Sequence, residues 1–171
     1  MPIKSKKKTT ITDIKGKTKK IGCLACAIQK GEVESPGGGI ASSKFFSAGQ
    51  DYEIPIPGFV ILRSKRHIQS VDEFTAAEQQ DFIKFLCRLR QGMRKALKVS
   101  VVYFFQREDT PFHFHLWLFP RYPWMEKKFG LRVKSLKPII EYARKYLKTK
   151  KNLKKVDQAT QKLKQFFSQT K

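Results

Sequence analysis

The stretch Thr110-Pro111-Phe112-His113-Phe114-His115-Leu116-Trp117-Leu118-Phe119-Pro120-Arg121 alternates strictly around two histidines, and the whole chain has only one other, His67. Successive side chains of an extended strand point to opposite faces, so the pattern predicts a strand with His113, His115 and Trp117 on one face. Phe112, Phe114, Leu116 and Leu118 fall on the other face, which must be buried against a core. Same-face neighbours lie roughly 6–7 Å apart along a strand, so two imidazoles there can serve two different partners side by side. An ordinary strand with two half-buried histidines is the plainer alternative.

Working outward, residues 99–105 are strand-like and residues 106–110 form a polar loop leading into the histidine strand. Upstream, Thr75-Ala76-Ala77-Glu78 is a capping box that opens a helix running to about residue 98. Phe82, Phe85, Leu86, Leu89, Met93 and Leu97 recur at helical spacing and form its buried stripe. Ile54-Pro55-Ile56-Pro57-Gly58 resists regular structure, because each proline lacks a ladder donor. Residues 59–63 then read as a buried strand, and residues 40–43 and 44–48 as a hairpin-like pair. Cys23 and Cys26 sit on a tight turn entering a short helix. The sum is an α+β fold, a sheet with one long helix packed on it.

After Pro123-Trp124-Met125 the character changes. Ser135 can cap a helix carrying Ile139, Ile140, Ala143, Tyr146 and Leu147. A second helix from about residue 149 carries Leu153, Val156, Leu163, Phe166 and Phe167. The pair reads as a basic helical hairpin whose apolar stripe docks on the body or on another subunit. The division is therefore a basic, disordered extension over 1–20, a domain over 21–125 and a basic helical extension over 126–171.

Charge follows the same division. The formal net charge is +22. Residues 1–20 hold eight Lys and one Asp, giving +7, and residues 127–171 hold fifteen Lys or Arg and two acids, giving +13. Basic ends attract nucleic acid or any polyphosphate at long range, or serve only as solvated faces. No basic groove interleaved with aromatics is visible, so nucleic acid is not the favoured partner. No apolar run approaches the roughly 20 residues that span a bilayer, so no membrane is expected. Three cysteines, two at CxxC spacing, point to a reducing, cytoplasmic setting rather than a disulfide framework.

Thiolates and neutral imidazoles are the ligands zinc prefers, in tetrahedral sets of four. Cys23, Cys26, His67 and one of the strand histidines make such a set. A thioredoxin-like redox pair is the rival, although no βαβ unit accompanies the CxxC. Zinc held by four protein ligands is structural, since no position stays open for a substrate.

Over residues 21–125 the chain resembles the histidine triad (HIT) superfamily of nucleotide hydrolases and transferases. The resemblance is carried by Cys23-x-x-Cys26 with Ile28 and Gly31-Glu32-Val33, by Pro57-Gly58-Phe59-Val60-Ile61-Leu62, by Lys65-Arg66-His67, and by His113-Phe114-His115 ending at Pro120-Arg121. It implies a HIT-like antiparallel sheet, a structural Zn2+ on Cys23, Cys26, His67 and His113, and His115 as nucleophile. It also places Thr110 near the leaving group and Asp51 at the acidic position that holds ribose hydroxyls. Dimerisation through the sheet and long helix is implied as well.

A neutral imidazole can attack an α-phosphorus and form a nucleotidyl-histidine that water or another acceptor resolves. Donors for the developing charge would come from the loop containing Gln106. Trp117 and Phe59 stand where the pattern has histidines, and Trp117 can stack or donate one hydrogen bond but cannot shuttle protons. The expected function is a nucleotide hydrolase or nucleotidyl transferase cleaving a phosphoanhydride or phosphoramidate. Its substrate-binding residues are Asp51, Gln106 and Trp117, and diadenosine-polyphosphate-type substrates are implied by kinship. The alternatives are a nucleotide-binding protein with little catalysis and an enzyme acting at nucleic-acid ends.

Overall fold

Alternation along the histidine stretch produces the strand that ties the sheet together. The computed structural model describes residues 8–108 and 113–169 of the chain. Thr110, Pro111 and Phe112 lie outside the described residues. Five antiparallel strands form the main sheet: β3 (Gly39–Ser42), β4 (Phe46–Gln50), β5 (Val60–Ser64), β6 (Val101–Phe105) and β7 (His115–Arg121). Their spatial order is β3-β4-β5-β7-β6. Val60 pairs with Leu118, Leu62 with Leu116 and Arg63 with His115.

That register assigns the two faces. On one, Val60, Leu62, Leu118, Phe114 and Phe46 are buried against Phe85, Leu89 and Met93 of the long helix α2 (Ala76–Leu97). On the other, Phe59 and Phe119 pack with Ile54, Ile56 and Met125. The expected α+β architecture with one long helix is observed. The proline-rich turn is irregular as expected, and side chains satisfy its backbone. Gln50 Nε2 donates to Ile56 O at 2.9 Å, and the Tyr122 hydroxyl donates to Pro57 O at 2.6 Å.

Three expectations need correction. The segment 1–20, read as disordered, contains a hairpin within its described part: β1 (Thr9–Thr12) paired with β2 (Thr18–Ile21). Its lysines masked the strand preference of the intervening Thr and Ile residues. The Asp13 carboxylate accepts from Lys15 N and Lys17 N, each at 2.8 Å, and Gly16 supplies the positive φ of 86° that closes the turn. Second, the C-terminal helices α4 (Leu136–Tyr146) and α5 (Lys150–Gln169) dock on opposite faces of the sheet rather than as one hairpin stripe. Ile139 and Ala143 of α4 belong to the Phe59 side, whereas Leu163 of α5 is fully buried on the α2 side. Gly92 of α2 permits that approach, because a Cβ there would lie 3.0 Å from the Phe166 ring. Third, Ser135 makes no cap. Its hydroxyl donates to Arg132 O at 2.7 Å and accepts from Arg121 Nη1 at 2.9 Å. Between β7 and α4 runs one further short helix, α3 (Pro123–Phe129).

The capping box at Thr75 forms as read. Thr75 N donates to Glu78 Oε2 at 2.8 Å, and Glu78 N donates to Thr75 Oγ1 at 3.3 Å. Arg66, one residue before His67, grips the same carboxylate with Nε at 3.1 Å and Nη2 at 2.9 Å. These donors, Arg66 foremost, hold the Glu78 carboxyl at about 2 against the opposing effect of burial. With its folded pKa below the unfolded one, Glu78 stabilises the native state fully above the ordinary carboxylate range. That contribution is lost as pH falls toward 2. Glu78→Gln is therefore expected to lower the melting temperature by about 2–6 °C at pH 7. The gap to wild type should close as pH drops below 4, read by thermal unfolding followed by circular dichroism; a gap constant from pH 7 to 3 would contradict this account.

Candidate functional site

Short range puts the two cysteines together. Cys23 precedes the short helix α1 (Leu24–Gln29), and Cys26 lies in its first turn, with Ala27 N donating to Cys23 O at 3.0 Å. Long range supplies the rest. His67 follows β5, and His113 immediately precedes β7. One donor atom from each of Cys23, Cys26, His67 and His113 falls within 4.8 Å of the other three.

Three of the six donor–donor separations are close to the edges of a zinc tetrahedron. Zinc bonds of about 2.3 Å to sulfur and 2.0–2.1 Å to nitrogen give ligand–ligand edges of roughly 3.3–3.8 Å. Cys26 Sγ lies 3.2 Å from His67 Nδ1 and 3.4 Å from His113 Nδ1, and Cys23 Sγ lies 3.7 Å from His113 Nδ1. His113 Nε2 donates to Ser64 O at 2.6 Å, which leaves the Nδ1 lone pair facing the sulfurs. Burial raises the Cys23 thiol, but its polar contacts with His113 and with Cys26 outweigh this and bring the pKa down to about 6. The donor set thus fits zinc in type, number and spacing. A redox CxxC pair has no need of two imidazoles at these distances.

His115 opens β7. Its Nδ1 donates to His113 O at 2.9 Å, so the lone pair resides on Nε2. Burial holds the imidazole below its ordinary value, and the positive potential of Arg107 and His113 adds to this, while the bond to His113 O opposes it. The ring is a neutral base near pH 7. It borders a cavity of about 320 Å³ that also reaches His113, Trp117 and Asp51.

Asp51 is not the exposed loop carboxylate that its sequence context allows. It is 8% exposed, and its Oδ1 accepts from Glu53 N at 2.9 Å and Ile54 N at 2.7 Å. Burial nonetheless pushes its carboxyl up to about 7. Trp117 packs against Phe105, with ring centroids 4.6 Å apart, and edge-on against Phe59 at 5.1 Å. Trp117 and Phe59, far apart in sequence, are therefore in contact.

Two other expected residues are not brought to the cavity. The Gln106 amide donates to Gln69 O at 3.2 Å and to Glu108 Oε1 at 3.1 Å, and it does not line the cavity. Thr110 lies outside the described residues. The sequence reading missed others. Arg144 of α4 reaches the cavity, bound to Glu53 at 3.0 Å, and Thr9, Thr10 and Ile11 of the N-terminal hairpin form part of its wall. Both basic ends thus contribute to the pocket. Arg63 was read only as the end of a buried strand, yet it lies opposite His115 in the register and also lines the cavity. An arginine closing an otherwise apolar strand was the one available signal.

No family model matches the chain, and no curated protein matches it in sequence. Solved structures do. A zinc-bound histidine triad family protein from Mycobacterium smegmatis is 16% identical, with a TM-score of 0.60 over 86% of this chain and 94% of that one. The fold is that of histidine triad proteins. A HIT family member from Bacillus subtilis is similar at 20% identity and a TM-score of 0.55, covering 74% of this chain and 98% of that one. A hypothetical histidine triad nucleotide-binding protein from Sulfolobus tokodaii matches at 17% identity and a TM-score of 0.55, over 87% and 99%. Coverage above 80% in two of these shows that the likeness extends past the central sheet.

Asp51 yields a test of the pocket's electrostatics. Its folded pKa exceeds the unfolded value, so its contribution is intact below about 4 and is lost as pH rises through 7. Asp51→Asn keeps an acceptor for Ile54 N but removes the ionisation. The variant should gain stability relative to wild type as pH climbs from 5 to 8, measured by urea unfolding at each pH. A difference that does not vary with pH would rule out a buried, shifted carboxyl.

Proposed function

We propose that this chain is a HIT-type nucleotide hydrolase or nucleotidyl transferase in which His115 attacks an α-phosphorus. The observation that carries this reading is the 2.9 Å bond from His115 Nδ1 to His113 O, which leaves Nε2 as the nucleophilic atom in a preformed cavity. Nε2 uses its lone pair to form a bond to phosphorus while the bond to the leaving group breaks, and the leaving group takes the bonding electrons. The His113 carbonyl, already paired with Nδ1–H, then stabilises the imidazolium character of the intermediate. Water attacks the same phosphorus, loses its proton to solvent and releases the nucleotide, and His115 departs neutral. A hydroxylic acceptor in place of water gives transfer.

Cys23, Cys26, His67 and His113 would hold Zn2+, whose contribution is structural. Fixing His113 fixes the carbonyl that orients His115. Asp51 suits a hydrogen bond to a ribose hydroxyl, and Trp117 offers an aromatic wall. Thiolate ligation requires reduced cysteines and so favours a cytoplasmic setting. Among the described residues no helix is long and apolar enough to cross a membrane. Val101 and Phe104, both nearly half exposed on edge strand β6, favour a homodimer built along that edge. The second reading, a nucleotide binder with little turnover, draws on the Trp117–Phe59 contact, since neither residue can protonate a leaving group.

Purified protein is expected to carry close to one zinc per chain by elemental analysis, and Cys26→Ser should lose it; metal content well below half a zinc per chain would exclude a zinc centre. Incubation with dinucleoside polyphosphates and nucleoside phosphoramidates should give turnover that falls at least about a thousandfold in His115→Ala. A nucleotidyl adduct on His115 should be trapped by mass spectrometry. Turnover unchanged by the substitution would refute the enzymatic reading, and nucleotide binding without turnover in the wild type would favour the second.

A further inference from the structure

A second cavity lies beside the first, with largely apolar walls that include Ile28, Val33, Ile40 and Ala48, and a row of polar side chains crosses its sheet floor. It measures about 800 Å³ and is bordered by Ser42, Ser47, Arg63 and Lys65, by Ser35 from the loop after α1, and by one acid, Glu34. The register explains the floor. Ser42 pairs with Ser47, Ser47 with Arg63, and Arg63 with His115. Directly opposed residues share a face, so four polar side chains form one row across β3, β4, β5 and β7. With strands about 4.8 Å apart, the row runs roughly 14 Å from the histidine to Ser42.

Arg63 is the link, since it borders both cavities. It is 5% exposed, it donates from Nη2 to Ser35 Oγ at 3.3 Å, and its Nε has no partner among the described residues. The Ser47 hydroxyl oxygen is buried too, and has no partner among the described residues. Arg121 shows what a structural buried arginine looks like in the same chain: it donates to Ser135 Oγ at 2.9 Å and to Gly130 O at 2.7 Å. Burying an uncompensated guanidinium is costly, and nothing in the packing requires a charge at this place. Burial lowers the Arg63 pKa to about 10. Room is kept for the group as well. A Cβ on Gly49 would sit 2.8 Å from Ser35 Oγ and 3.3 Å from Arg63 Nη2, so glycine leaves the cradle open.

We propose that this groove is a second, anion-binding subsite continuous with the His115 cavity, in which Arg63 and Ser47 take the phosphate chain lying beyond the reacting phosphorus. The proposal rests on reading the His115 cavity as the place where phosphorus reacts, and it selects substrates whose leaving side is itself polyanionic. Arg63 presents planar donors to the phosphate oxygens, Ser47 adds a hydroxyl, and Lys65 adds positive potential at the rim. A phosphoramidate with an uncharged leaving group would leave the groove unused.

Binding of inorganic tripolyphosphate to the full, metal-replete chain tests this, measured by titration calorimetry at about 0.3 M salt so that exposed lysines are screened. Arg63→Met and Ser47→Val should each weaken binding, Arg63→Met by at least about tenfold. The distant pair Lys150→Ala/Lys151→Ala should stay within about threefold of wild type. Arg63→Met should melt at or above the wild-type temperature, because it removes a buried uncompensated charge, so lost binding is not lost folding. Wild-type affinity in Arg63→Met overturns the proposal. So does a loss confined to Arg63→Met with Ser47→Val unaffected, which would put the anion on the His115 side alone. A loss in the lysine pair equal to that in Arg63→Met overturns it too, as non-specific charge binding. If turnover proves independent of His115 while the Arg63 and Ser47 effects stand, the reaction assignment fails and the anion site survives.

Discussion

The close approach of four donor atoms from three separated segments is the constraint on which the site depends. Cys23 and Cys26 come from the start of α1, His67 from the turn after β5, and His113 from the entry to β7, all with donor atoms inside 4.8 Å. A shift of any of these segments would move the others. Ser64, at the end of β5, accepts from His113 Nε2, and the His113 carbonyl in turn accepts from His115 Nδ1. His113 thus faces the cysteines through its ring and orients the His115 imidazole through its carbonyl. Such relays are how an outer shell fixes tautomers as well as positions.

The sheet register does the rest. Because β5 and β7 pair with Arg63 opposite His115, the strand that is apolar on its α2 side carries a buried cation on the other. The same register brings Trp117 beside Ile61, within reach of Phe59. Trp117 and Phe59 are far apart in sequence, but in the fold their rings meet edge-on, with centroids 5.1 Å apart. The polar row through Arg63 and Ser47 runs away from this pair across the sheet.

The basic ends also acquire a place. As composition they account for nearly all of the net charge and look like appendages. In the fold, Thr9–Thr12 helps wall the cavity, Arg144 is held at its mouth by Glu53, and Lys148 Nζ donates to Asp13 O at 3.3 Å. The boundary near residue 126 is a change in charge and not in packing, since Leu163 is buried with Leu89 and Met93.

What was legible in the sequence was whatever is governed by short range. Period-2 alternation marked β7, 3.6-residue spacing marked α2, Thr75 and Glu78 marked its start, and CxxC spacing placed two ligands on one turn. The histidines were informative because there are only three, and each has a distinct partner in the fold. Side-chain direction in loops, such as that of Gln106, was not legible, because it is set by Gln69 and Glu108 in space and not by period. Nor was the burial of Arg63, whose Nε has no partner among the described residues, because that depends on what other strands and loops supply. Local stereochemistry acts between near neighbours and can be read along the chain. Strand register and cavity walls are set by pairing between distant segments, and only the tertiary structure decided those.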